Sequence, residues 1–196
     1  QRKGRKSMTE TGVIHGRFQP LHLKHMEYLL AAKMRCRILY VGITHPDISA
    51  YPASSPFDLH GTVRRDNPLT YIERYEMIRE ALLDFGVKRD EFEIVPFPVS
   101  SPDILAQYVP NDAVHYMSIC GEWDEERFRI LTDLGFTVEV LWRREGEEKG
   151  ITGTHLREMI AREEDWRQHM PKTAAEYLTD HGIDQRIRQL YYVGRE

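Results

Sequence analysis

The 196-residue sequence has only two cysteines, Cys36 and Cys120, each in a short apolar run and neither with a partner at metal-ligand spacing. That excludes a disulfide framework and argues against a structural zinc site, so both read as buried thiols in a reducing compartment. No apolar run approaches the roughly 18 residues a membrane helix needs, and no apolar signal region opens the chain; a cytoplasmic protein without a membrane partner is expected. Positive charge is not in excess either, since 27 Lys and Arg against 31 Asp and Glu leave a net charge of −4. A chain without a basic field is a poor match for nucleic acid, and no nucleic-acid partner is expected. No repeat and no interdomain linker is visible.

What remains is a globular composition, 41% hydrophobic and 30% charged, long enough to bury one core. The basic start, Gln1 to Ser7, lacks apolar periodicity, and residues 1–10 read as a disordered tail. Residues 11–163 read as the main domain and 164–196 as a small C-terminal helical cap of the same unit. A homo-oligomer is compatible with this pattern, which does not report the oligomeric state.

The chemistry-bearing stretch lies early. A strand-like run, Gly12 to His15, leads into Gly16-Arg17-Phe18-Gln19-Pro20-Leu21-His22-Leu23-Lys24-His25, and a helix-like run, Met26 to Lys33, leaves it. His22 and His25 stand three apart, on one face of the first helical turn. Unpaired N–H groups at a helix start attract anions, so two imidazoles there suit phosphate.

Strand-like runs recur at Arg37–Thr44, Glu91–Pro98, Ala113–Gly121 and Phe136–Trp142, with helical patterns between them. Five strands alternating with helices predict an α/β, Rossmann-like, doubly wound parallel sheet. Thr70 and Glu73 form a capping box for a helix that Gly86 stops. Arg74 either points to the site or, the favoured reading, makes a surface ion pair with Glu73 or Glu76. Residues 45–68 contain four prolines and read as a long loop, either a flap over the site or a mobile insertion. Gly121-Glu122-Trp123 follows the fourth strand, where Trp123 either stacks a ring or packs the sheet edge. After the fifth strand, Gly150-Ile151-Thr152-Gly153-Thr154-His155-Leu156-Arg157 opens a helix; its threonines can cap or meet phosphate, and Arg157 can clamp it.

Gly16 to His25 resembles the signature of the nucleotidyltransferase superfamily marked by His-x-Gly-His, and Gly-Arg-Phe-Gln-Pro-x-His is most similar to the archaeal-type nicotinamide-mononucleotide adenylyltransferases. Gly-Ile-Thr-Gly-Thr-x-Leu-Arg resembles the superfamily's second signature, about 130 residues further on. Two places depart. Lys24 stands where the motif has Gly, and Gly121-Glu122-Trp123 is more similar to the glycerol-phosphate cytidylyltransferases.

The resemblance implies attack of an acceptor phosphate on the α-phosphate of a nucleoside triphosphate, with release of pyrophosphate. It implies His22, His25 and Arg157 as catalytic residues, with Gly16, Arg17, Phe18, Gln19, Thr152, Gly153 and Thr154 at the nucleotide. Trp123 and Glu122 would meet the acceptor, and Mg²⁺ would be held mainly by substrate oxygens, with no protein metal ligands named. Adenylyl transfer from ATP to nicotinamide or nicotinate mononucleotide is the favoured expectation. The alternatives are a cytidylyltransferase using CTP and a small phosphate or phosphonate, and an inactive nucleotide-binding regulatory module.

Overall fold

The computed structural model describes residues 7–49, 51, 63–145, 148 and 150–192. Five parallel strands, β1 (Thr9–Gly16), β2 (Cys36–Thr44), β3 (Phe92–Phe97), β4 (Val114–Ile119) and β5 (Thr137–Arg143), form one sheet in the order β3-β2-β1-β4-β5. The helices are α1 (Leu23–Lys33), α2 (Tyr71–Asp84), α3 (Glu122–Asp133), α4 (Gly153–Ala161), α5 (Lys172–Asp180) and α6 (Ile183–Tyr192). This is the doubly wound sheet expected from the alternation of runs. Strand order reverses between β1 and β4, and open α/β sheets bind ligands beyond the strand ends at such a switch point.

The strands carry apolar residues on both faces because helices cover both. Ile14, Leu39, Val41 and Ile43 join the core under α1, α2 and the C-terminal helices. Val13, Met117 and Ile119 face a second core with Leu131 of α3 and Leu105. β1 starts at Thr9, ahead of the strand-like run that opens at Gly12. Thr9 and Glu10 belong to it, Thr9 pairing with Cys36, because the ladder to β2 continues past the apolar run. Cys36 is fully buried, whereas Cys120, just past β4, is partly exposed.

The C-terminal helices brace the site rather than merely covering the sheet. α5 packs on α2 and α6 on α4. Arg186 of α6 donates to both Glu73 oxygens, at 2.8 and 2.9 Å, and to the Pro68 carbonyl at 3.0 Å. Glu73 is the far half of the Thr70 capping box, so α6 is tied to the start of α2. Half of the 45–68 loop, residues 50 and 52–62, lies outside the described residues. Its end, 64–66, is a turn of 3₁₀ helix.

Candidate active site

His22 is the N-cap of α1 and His25 its third residue. Each Nδ1 accepts the other's backbone N–H, both at 3.3 Å. The two imidazoles therefore form a capping box, a role usually filled by Ser or Thr with Glu. Their rings stack with centroids 3.6 Å apart, and Phe18 meets His25 edge-on at 5.0 Å. Burial depresses the His22 pKa to about 4, and burial with the neighbouring His22 and Arg17 holds His25 well below 6.5. Both are neutral at pH 7. Because Nδ1 accepts in each ring, the remaining proton sits on Nε2, which leaves two N–H donors at a helix start.

The loop before these histidines is pinned. Gln19 sits on a cis bond to Pro20, is buried, and exchanges both amide hydrogen bonds with the Leu69 backbone, 2.7 and 2.8 Å. Gln19 thus presents its carbonyl, not its side chain, to the site. Phe18 has φ 52 and is fully buried, and a Cβ on Gly16 would stand 2.9 Å from its ring, so glycine is what lets the turn close.

Arg74 is corrected by the structure. It is fully buried and donates to the carbonyls of Arg17, Thr44 and His45, at 3.1, 2.8 and 2.8 Å. It shares the α2 face of Met77, Ile78 and Ala81, which turns it inward and makes it a clamp on the ends of β1 and β2.

The second signature meets the first. Thr152 caps α4 by accepting from the His155 N–H at 3.2 Å. Arg157, fully buried, donates to the Gln19 carbonyl at 2.8 Å, to Asp66 Oδ1 at 2.9 Å and to Thr154 Oγ1 at 3.2 Å. A Cβ on Gly153 would stand 3.3 Å from the Arg157 guanidinium and 3.4 Å from the Gln19 oxygen, so the bare residue permits the approach. Arg157 Nε is buried and has no hydrogen-bond partner among the described residues.

Lys24, the departure from the motif, lies under the loop that enters α4. A Cβ on Gly150, whose φ is +66, would meet its Cε at 2.6 Å. Its ammonium pairs with Glu27 at 3.2 Å, and Glu27 takes both arms of Arg144 at 3.0 and 2.8 Å. Arg144 and Lys24 together hold the Glu27 carboxyl near pKa 2. Arg144 also lies over the Trp142 ring, 4.4 Å from its centroid.

A cleft of about 600 Å³ opens at the strand ends. Thr154 and Asp66, beside Arg157, form part of its wall, as do Arg17, Thr44 and His45. α3 supplies Trp123, Arg127 and Ile130, spaced as one helical face. Trp123 is 58% exposed, so it is not sheet-edge core. Glu122 is exposed and does not line the cleft, being one residue round the helix from Trp123. His22 and His25 do not line it either; they stand where α1 begins, next to the loop that Lys24 supports. Arg127 and Asp66 were not singled out in the sequence. The only signal for Arg127 is its position four after Trp123, and for Asp66 there is none.

A model of the cytidylyltransferase-like family matches residues 13–159, from β1 to α4. The chain belongs to this family. It is 43% identical over 178 residues to a phosphonoformate cytidylyltransferase of Streptomyces viridochromogenes, covering 91% of this chain and 95% of that one. It is 29% identical over 186 residues to a nicotinamide-nucleotide adenylyltransferase of Saccharolobus solfataricus, with 91% and 95% covered. Among solved structures, a bifunctional NMN adenylyltransferase/ADP ribose pyrophosphatase from Francisella tularensis superposes with a TM-score of 0.64 at 16% identity. That match covers 93% of this chain and 52% of that one, and it supports the fold. This member of the cytidylyltransferase-like family is a nucleotidyltransferase.

Proposed function

We propose that the protein transfers a cytidylyl group from CTP to a small phosphonate or phosphate, releasing pyrophosphate. The observation that carries this reading is the 43% identity, over nearly the whole of both chains, to a phosphonoformate cytidylyltransferase. Lys24 supports it. In the resembling adenylyltransferases a glycine at this place lets a nucleotide approach the helix backbone, whereas here a lysine stem packs on the Gly150 backbone; in this reading the stem narrows that approach. A pyrimidine needs less room than a purine.

In this reading the triphosphate spans the starts of α1 and α4. His22 and His25 donate from Nε2 to its α- and β-phosphates, and Arg157 and the Thr154 hydroxyl meet the β- and γ-phosphates. Arg17 lies on the acceptor side, with Gly16 and Phe18 shaping the turn. The acceptor oxyanion attacks the α-phosphorus, the bond to the bridging oxygen breaks, and pyrophosphate leaves. The nucleophile is already ionised, so no base is needed, and neutral Nε2 donors supply charge stabilisation without a proton transfer. Mg²⁺ would take its ligands mainly from phosphate oxygens and water, screening their charge.

The second reading, adenylyl transfer to nicotinamide mononucleotide, is favoured by the Gly-Arg-Phe-Gln-Pro-x-His stretch and by the archaeal relative at 29% identity. Pyrophosphate release with CTP or ATP, set against phosphonoformate or nicotinamide mononucleotide, distinguishes them. Release only with ATP and the mononucleotide would overturn the cytidylyl reading.

A further inference from the structure

We propose that Arg127 is a specificity-determining residue that binds a carboxylate on the acceptor, so that the preferred substrates are carboxylated phosphonates rather than neutral ones; this rests on the cytidylyl-transfer reading above.

The geometry comes from one face of α3. Trp123, Arg127 and Ile130 recur at helical spacing and all line the 600 Å³ cleft. Arg127 also lines the small apolar cavity over His15 and Phe97, so its side chain lies between the two spaces. It is about one-third exposed, and its ion pair, with Asp124, is long at 3.9 Å. Asp124 is otherwise committed, accepting the Cys120 N–H at 2.9 Å. The Arg127 charge is felt at both His15 and His45, whose ring nitrogen Nδ1 is 3.0 Å from the Tyr51 hydroxyl. Arg127 thus borders the cleft beyond the ends of β1 and β2 together with Arg17, Thr44 and His45, where the reading above seats the acceptor.

The company it keeps sets the class of anion. Glu126 and Asp124 also line the cleft, paired with Arg129 and Arg127, and what negative field they leave opposes a dianion more than a monoanion. The one guanidinium fork that α3 brings to the cleft, beside an aromatic face and Ile130, fits a planar monoanion, which it can bind with two parallel hydrogen bonds. The phosphonate end of the acceptor would then point away from α3, toward Arg17.

The test uses two probes, phosphonoformate and methylphosphonate, which differ in the carboxylate. Calorimetric binding of each to the wild type, Arg127→Ala and Arg127→Lys is read beside CTP binding and melting temperature. The expected result is a loss of about 10- to 100-fold in phosphonoformate affinity for Arg127→Ala, partial recovery in Arg127→Lys, and methylphosphonate and CTP affinities changed less than about threefold. An equal loss for both probes, no loss for either, or a wild type that binds phosphonoformate no better than methylphosphonate would overturn it. Turnover separates the two layers. If CTP and phosphonoformate release pyrophosphate and Arg127→Ala does so with unchanged KM, the role of Arg127 fails while the reaction stands. If phosphonoformate binds through Arg127 but no nucleotide is consumed, the reaction fails while the site stands.

Discussion

The Arg157 guanidinium is held by Asp66 at 2.9 Å, with only 1% and 12% of the two side chains exposed. The pair joins α4 to the end of the 45–68 loop, and it occupies an arm of the arginine proposed to meet phosphate. Breaking one side of a buried pair leaves the other uncompensated. Asp66→Asn keeps the oxygen acceptor and removes the charge, so unfolding in urea is expected to show a loss of about 1–3 kcal/mol. CTP should restore more stability in this variant than in the wild type, because the phosphate meets an unneutralised arginine. Equal stabilisation by CTP in both would mean that Arg157 does not reach the nucleotide.

The two histidines carry separable duties. His22→Ala removes an N-cap, expected to cost about 1 kcal/mol, and also the phosphate donor proposed above. His22→Asn returns a capping side chain, so it should recover the melting temperature without recovering kcat. His25→Ala is expected to lower kcat about 10²- to 10³-fold while nucleotide affinity persists, as loss of a transition-state donor does. Recovery of both properties in His22→Asn would reduce the pair to a structural cap.

Much of this site is legible in the sequence, and the illegible part has a physical cause. The spacing of His22 and His25, the Thr70–Glu73 box and the two strand-to-helix signatures are local patterns, and local patterns survive without coordinates. Arg74 was misplaced because neighbouring glutamates resemble a surface pair; its position three before Met77 and four before Ile78 puts it on the buried face. Asp66 meets Arg157 across 91 residues, and Arg144 meets Glu27 across 117, distances at which no periodicity operates. Lys24 meets Gly150 across a similarly long separation.

Acid should destabilise the fold through its buried histidines. His115 is fully buried between Phe97 and Phe136, neither ring nitrogen has a hydrogen-bond partner among the described residues, and burial lowers its pKa to about 4. His15, stacked on Phe97, is also held low by burial. A folded pKa below the unfolded value means that the unfolded chain binds more protons. The stability is therefore fully present above about pH 6.5 and falls as pH drops toward about 4, by roughly 3 kcal/mol for His115 alone. Urea midpoints between these limits test this. His115→Leu should flatten the fall by one group's share; an unchanged slope would show that His115 is not the titrating group.

Lys24 gives a specificity test. Lys24→Gly restores the motif, ends the ion pair with Glu27 and frees the space under Gly150. Glycine early in a helix costs about 1 kcal/mol at most. The ratio of kcat/KM for CTP to that for ATP is expected to fall about 10-fold or more. An unchanged ratio would remove Lys24 from base selection.

The most direct measurement is identification of the product by mass and phosphorus resonance after incubating the protein with CTP, ATP, Mg²⁺, phosphonoformate and nicotinamide mononucleotide together. The expected product is a cytidylyl phosphonate with stoichiometric pyrophosphate. NAD as the sole product would contradict the account.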